Sequence, residues 1–169
     1  QNKKVYKACQ TLLTTCAHCK KDENILIVTD EGCMEMGMAL WNAADDYPNR
    51  TLVLMNNRTM HGEEPTDLVA AAMLKADVIF RATTFSLSHS KARANACAAG
   101  ARDLNCCDYD VHMLESGGLY TDFEANRKYV DQIAKGFEGG DVCHITSKLG
   151  TDYWCSIKGH KIFPQYGMS

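Results

Sequence analysis

Hydroxyl-bearing side chains and a histidine follow a short apolar segment, 78–80, near the middle of the chain. These polar side chains are Thr83, Thr84, Ser86, Ser88 and His89. At the end of a buried strand they could orient a polar ligand, and an imidazole can exchange a proton near neutral pH. His89 is therefore our candidate catalytic residue, with Thr84 and Ser86 as candidate substrate-cleft residues. The alternative is that Ser88 or Ser90 caps the next helix and His89 only faces solvent.

A second polar group lies in the loop 56–64, beyond another apolar segment, 52–55. It contains Arg58, His61, Glu63 and Glu64. The loop is predicted to lie at the same edge of a sheet, with Arg58 and His61 as candidate substrate-cleft residues. The alternative is a solvated loop whose carboxylates lie near the amino end of a helix opened by Pro65.

Nine cysteines are present, and an odd number cannot pair entirely within one chain. Cys16 and Cys19 have the spacing of a metal knuckle or a redox pair, but no second such pair completes a zinc site. A redox pair should open a helix, whereas this pair closes one. We interpret the cysteines as mostly structural and assign no metal ligand.

Nucleotide binding is disfavoured by the sequence after the first apolar segment, 25–28. Asp30 and Glu31 place two carboxylates where a phosphate would have to lie, although they suit the start of a helix. The chain also has no Gly-Lys-Ser/Thr phosphate loop.

Hydrophobic periodicity indicates an alternation of strands and helices. Strands are predicted at 25–28, 52–55, 78–80, 101–106 and 142–145. Helices are predicted at 5–19, 34–47, 65–75, 90–99, 110–115 and 122–137. The pattern predicts an α/β fold, with a mostly parallel, doubly wound (Rossmann-like) sheet of about five strands and helices on both faces.

The last residues differ in character, and they suggest the start of an antiparallel segment with no partner strand in view. We predict an α/β amino-terminal domain over 1–149. Residues 150–169 are then a junction strand that leads toward a carboxyl-terminal catalytic domain absent from this chain. An unpaired edge strand is marginal, so we expect another domain or another chain to supply its pairing.

Composition limits the class of protein. Hydrophobic residues make up 46% and charged residues 23%, and the net charge is -3 with no basic stripe for nucleic acid. No run approaches the roughly 18 apolar residues of a membrane span. We expect a cytoplasmic protein with neither a nucleic-acid partner nor a membrane partner.

Five short motifs occur in an order and spacing typical of one family. They lie at 25–31, 61–65, 83–90, 117–122 and 150–152. With them the chain resembles the amino-terminal half of the thermophilic metalloaminopeptidase family (aminopeptidase T and aminopeptidase S). The relatives of that family include an iron-dependent 2,5-dihydroxypyridine ring-cleaving dioxygenase.

The resemblance implies a divalent metal (zinc, cobalt or iron) bound only by the full-length protein, through a carboxyl-terminal domain. It also implies a homodimer and a substrate that is a small peptide or another small molecule. In dioxygenase-like members a histidine of the amino-terminal domain approaches the substrate, and His89 is the best match by motif. Asp152 would help to shape the cleft between the domains.

Three functions remain open. The first is the amino-terminal domain of a metal-dependent aminopeptidase-like hydrolase. The second is an iron-dependent aromatic ring-cleaving dioxygenase on the same scaffold, and the third is a non-enzymatic module that binds a small ligand.

Overall fold

The computed structural model of the chain describes residues 2–168, which form two compact units. The first unit extends to Tyr120, and the second is Thr121–Met168. No helix in the described residues is both long enough and apolar enough to cross a membrane.

The first unit is built on a parallel sheet of four strands. The strands are β1 (Ile25–Asp30), β2 (Arg50–Met55), β3 (Val78–Ala82) and β4 (Arg102–Asn105). The helices are α1 (Lys3–Thr11), which a π-helical segment Leu12–Cys16 continues, α2 (Met34–Ala43), α3 (Asp67–Met73) and α4 (Lys91–Ala98). Two 3-10 turns, Val111–Glu115 and Gly118–Tyr120, follow β4. This confirms the predicted Rossmann-like α/β fold.

Helices cover the sheet on both faces, which is why β1 is buried along its whole length. Leu26 and Val28 of β1 share an apolar cluster with Val69 of α3 and Ala96 of α4. The residues that alternate with them in β1 face the other side. On that side of the sheet, Gly37 of α2 packs closely against Thr29 of β1. A Cβ on Gly37 would be only 2.7 Å from the Thr29 Cβ.

The order of the strands creates a point where the connections diverge. The sheet runs β2-β1-β3-β4, so the chain leaves β1 in one direction and then crosses over to build β3 on its other side. In sheets of this type ligands bind outside the carboxyl ends of the two strands that flank such a point. Here those ends are Asp30 of β1 and Ala82 of β3.

Helix α3 begins later than the predicted position at Pro65. The Thr66 side chain accepts a hydrogen bond from the Val69 N–H, so Thr66 is the N-cap and the helix starts at Asp67. Pro65 is buried just before the cap. A hydroxyl cap at Thr66 fixes the start of the helix better than the fixed φ of proline does.

The second unit contains α5 (Phe123–Phe137) and an antiparallel pair, β5 (Val142–Thr146) and β6 (Asp152–Ser156). The prediction that 142–145 adds a fifth strand to the parallel sheet was wrong. Only a short turn separates β5 from β6, which suits a hairpin, whereas a parallel neighbour needs a long crossover. The strand that lacked a visible partner in the sequence therefore pairs with β5. The boundary predicted between 149 and 150 lies within the turn of this hairpin.

Candidate functional site

A buried carboxylate lies at the carboxyl end of β1. Asp30 is fully buried, and its two oxygens accept three hydrogen bonds. The Thr84 N–H donates at 2.7 Å, the Thr84 hydroxyl at 3.0 Å and the Cys33 N–H at 3.0 Å. Asp30 thus joins the end of β1 to the start of the loop that follows β3.

Close packing of the backbone completes this junction. A Cβ on Gly32 would overlap the Thr84 hydroxyl oxygen, so only glycine allows this approach. The Gly32 N–H donates to the Asn57 side-chain oxygen at 3.3 Å, and this hydrogen bond connects the loop after β2 to the loop after β1. Thr84 is a partly buried group that joins its own loop to the end of β1, and its predicted role in a substrate cleft stays a prediction.

His61 is fixed against the loop after β3. The Ser86 N–H donates to His61 Nδ1 at 3.0 Å, and the Gly62 N–H donates to the Ser86 carbonyl at 2.8 Å. The His61 ring also meets the Phe85 ring edge-on, with 5.2 Å between the centroids. Since Nδ1 accepts a hydrogen bond, the neutral ring carries its proton on Nε2. This Nε2 forms no hydrogen bond with the residues that the structure describes.

His89 lies beside the same loop. A Cβ on Gly62 would be 3.6 Å from the His89 Cβ, and the His89 side chain is exposed. The structure therefore brings together His61, Ser86 and His89, which the sequence placed in two separate motifs.

The alternative prediction for this segment, in which Ser90 caps the next helix, is confirmed. Its hydroxyl accepts from the Arg93 N–H at 3.2 Å, at the start of α4. Glu64 supports the same helix end, since its carboxylate accepts from the N–H groups of Lys91 and Ala92 at 2.6 and 3.1 Å. These two bonds hold the pKa of Glu64 below its usual value. Because Ser90 and Glu64 make the cap, His89 is not needed for it.

Arg58 is occupied within its own loop. Its guanidinium donates to the Asn56 carbonyl at 3.2 Å and lies 3.6 Å from the Glu63 carboxylate. Glu63 in turn accepts from the Thr59 N–H and hydroxyl, and these bonds lower its pKa. Arg58 thus stiffens the loop that carries His61, and its predicted role in a substrate cleft stays a prediction.

A buried ion pair between β3 and β4 anchors the loop that follows β3. Arg81 of β3 is 1% exposed and makes two hydrogen bonds, at 2.6 and 2.7 Å, to the Asp103 carboxylate of β4. Two guanidinium nitrogens of Arg81 also donate to the Ser88 hydroxyl oxygen, at 3.2 and 3.3 Å. The Ser86 hydroxyl donates to that same oxygen at 2.8 Å. The loop that carries His89 and contacts His61 is therefore anchored to charged groups in the sheet.

Sequence reasoning did not find Arg81 or Asp30 as parts of the site. A charged residue directly after an apolar strand is a weak signal, since such residues usually begin an exposed loop. The partner of Arg81 could be identified only once β4 was known to lie beside β3.

Comparison with known protein families favours one of the functions left open. A family model described as NicX, 2,5-dihydroxypyridine 5,6-dioxygenase, matches residues 4–169. The chain belongs to this family. No individual curated protein and no solved structure gave a significant match. The match supports the dioxygenase alternative, and nothing in these comparisons supports the aminopeptidase assignment.

Ring cleavage in this family implies a bound iron. The residues that the structure describes do not supply a set of iron ligands. Among residues 2–168 no group of three or more His, Cys, Asp or Glu side chains is arranged to hold a metal ion. At the Cys16-Ala17-His18-Cys19 segment, burial raises the pKa of Cys16 to about 11 and of Cys19 to about 12. Metals bind the thiolate, so such thiols are poor ligands.

Two further thiols lie beside Thr84. Cys33 Sγ is 4.0 Å from the Thr84 hydroxyl, and the Cys107 thiol donates to the Thr84 carbonyl at 3.4 Å. Burial is the main cause that raises the pKa of each. Both therefore remain protonated at neutral pH and act as small packing groups.

Asp152 belongs to the second unit. It is exposed at the start of β6, and its carboxylate lies 2.7 Å from His144 Nε2 on the adjacent strand. The His144 ring stacks on the Trp154 ring with 3.6 Å between the centroids. The predicted role of Asp152 in a substrate cleft stays a prediction.

Proposed function

We propose that this chain supplies substrate-binding and charge-stabilising groups to a dioxygenase that cleaves the ring of a dihydroxypyridine. The observation that carries the proposal is the family match over 4–169, because it covers both histidine loops. The geometry of His61 agrees with this function.

A dihydroxypyridine offers a flat apolar ring and hydroxyl groups that must lose protons as the ring is opened. The partly buried Phe85 ring supplies an apolar contact beside His61. Because the Ser86 N–H occupies the Nδ1 lone pair, the neutral His61 ring presents a protonated Nε2, which is a hydrogen-bond donor. His61 is therefore suited to donate a hydrogen bond to one substrate oxygen and to stabilise the negative charge on that oxygen when the hydroxyl loses its proton.

The roles assigned to this chain are limited to binding the substrate and stabilising charge on it. Iron would supply the activation of O₂ when bound, and the described residues offer no ligand set for it. The exposed His89, which lies next to Gly62, would contact the same substrate.

The test compares two substrate classes on the complete protein supplied with ferrous iron. We expect 2,5-dihydroxypyridine to be consumed with stoichiometric O₂ uptake, followed with an oxygen electrode and by loss of the ring absorbance. The matched control is 3-hydroxypyridine, which lacks the second hydroxyl and should give no uptake. Hydrolysis of amino-acid amides without O₂ uptake would overturn the proposal in favour of an aminopeptidase, and inactivity towards both classes would also overturn it.

A further inference from the structure

Two cysteines of the second unit lie directly opposite each other. In the antiparallel pairing of β5 with β6, the partner of Cys143 is Cys155. Residues opposite each other in such a pair project their side chains to the same face of the sheet. Both cysteines are half-buried, so small reagents can reach them.

The pattern of backbone hydrogen bonds defines the spacing of this pair. The Ile157 N–H donates to the Asp141 carbonyl, and the Ser147 N–H donates to the Thr151 carbonyl. Hydrogen-bonded pairs alternate along an antiparallel ladder, so Cys143 and Cys155 form such a pair. The Cα atoms of such a pair are about 5.5 Å apart. Disulfides span Cα separations of roughly 4.4 to 6.8 Å, so the Cα spacing of this pair lies within the range that a disulfide can bridge.

We propose that Cys143 and Cys155 are a redox-active dithiol that closes to a disulfide with a small-molecule disulfide, such as oxidised glutathione, as the oxidant. The closed form covalently joins β5 to β6 on one side of the hairpin. This proposal is independent of the dioxygenase function and concerns a site in the other compact unit.

The reaction proceeds by two thiol–disulfide exchanges. One cysteine thiolate attacks oxidised glutathione, which forms a mixed disulfide and expels one glutathione thiolate. The second cysteine thiolate then attacks the protein sulfur of the mixed disulfide and expels the second glutathione. The two cysteines lose two electrons and two protons, and two molecules of reduced glutathione result.

Other thiols of the chain are less suited to this reaction. Cys9 and Cys106 are almost completely inaccessible, and burial raises the pKa of each to about 12. Burial, and then the neighbouring Cys155, also raise the pKa of Cys143, so the exchange should become faster as the pH rises. Selectivity comes from accessibility together with the opposed partner.

Peptide mapping tests the proposal cleanly because trypsin separates the two cysteines. Cleavage after Lys135, Lys148 and Lys158 places Cys143 and Cys155 in different peptides, each with a single cysteine. The complete protein is treated with oxidised glutathione, its remaining thiols are alkylated, and the digest is analysed by mass spectrometry without reduction. We expect the 136–148 and 149–158 peptides to appear as one disulfide-linked species that separates on reduction.

A variant and an unfolded control sharpen the test. In Cys155→Ser the resolving thiol is absent, so a mixed disulfide with glutathione should persist at Cys143, whereas in the unmodified protein it should not. In concentrated guanidinium chloride the hairpin is unfolded, so disulfides should no longer form preferentially between Cys143 and Cys155. Alkylated thiols at both positions after oxidation, a lasting mixed disulfide in the unmodified protein, or linkage to another cysteine such as Cys107 would each overturn the proposal.

Discussion

At the scale of single residues, the site depends on groups whose hydrogen bonds are already made within the protein. Asp30 accepts three hydrogen bonds, from Thr84 and Cys33, and His61 Nδ1 accepts one from the Ser86 N–H. What is left for a ligand is Nε2 of His61 and the exposed side chain of His89. A fixed donor or acceptor loses little conformational entropy on binding, which is why such preorganisation suits a substrate site.

Asp30 is predicted to be the residue on which the loop after β3 most depends. Asp30→Ala would leave the N–H groups of Thr84 and Cys33 without their buried acceptor, at a cost of about 3 kcal/mol in the free energy of unfolding. Glu31→Ala removes the exposed carboxylate next to it and should change that free energy by less than about 0.5 kcal/mol. Urea denaturation followed by circular dichroism measures both. Equal effects of the two variants would show that Asp30 does not hold the junction.

At the scale of elements, the sequence identified most helices and strands, but it did not reveal how they pair. The alternation of strands and helices up to residue 106 was enough to predict a parallel sheet with helices on both faces. The run at 142–145 was also predicted to be a strand, yet β5 joins a hairpin, because local sequence does not say which edge a strand meets. The junction of Asp30 with Thr84 likewise depends on β1 and β3 being neighbours, which local propensity cannot show.

The packing of α2 on the sheet gives a prediction at this scale. Alanine usually stabilises a helix over glycine by about 1 kcal/mol. At Gly37 the new Cβ would lie 2.7 to 2.9 Å from three Thr29 side-chain atoms, so Gly37→Ala should instead destabilise the protein by about 1 to 3 kcal/mol. Gly136→Ala in α5 meets nothing within 4 Å and should raise helix stability. Thermal unfolding followed by circular dichroism compares them, and a higher melting temperature for Gly37→Ala would contradict the packing.

At the scale of the whole molecule, burial is unevenly divided between the two compact units. The first unit contains the parallel sheet and all of the fully buried side chains of the described residues. No residue from 121 to 168 is fully buried. The first unit therefore has a hydrophobic core of the kind that gives a domain independent stability. Its buried thiols couple that stability to pH.

The sign of this coupling follows from the raised pKa values. Cys9 and Cys106 titrate near 12 in the folded protein and near 9 when exposed, so the folded state keeps protons that the unfolded chain releases. The stabilisation is complete below pH 9 and is lost as the pH rises towards 12, at up to about 1.4 kcal/mol per pH unit for each thiol.

Denaturation measured from pH 8 to 10.5 tests this coupling. The free energy of unfolding of Cys106→Ala should fall less steeply above pH 9 than that of the unmodified protein. Cys97→Ala on α4, at a half-buried position, serves as the control and should keep the original slope. An identical slope in all three proteins would mean that the Cys106 thiol does not contribute.

We propose that the carboxyl edge of the parallel sheet binds the aromatic substrate through His61. The most direct measurement is kcat/KM for 2,5-dihydroxypyridine in the complete protein carrying His61→Asn, beside His112→Ala as a control at an exposed histidine in a 3-10 turn. The side-chain oxygen of the introduced asparagine can still accept from the Ser86 N–H, so the loop is kept while the Nε2–H donor is lost. We predict a fall in kcat/KM of about 100-fold for His61→Asn and no change for His112→Ala. Equal activity of the two variants would move the substrate site away from this edge.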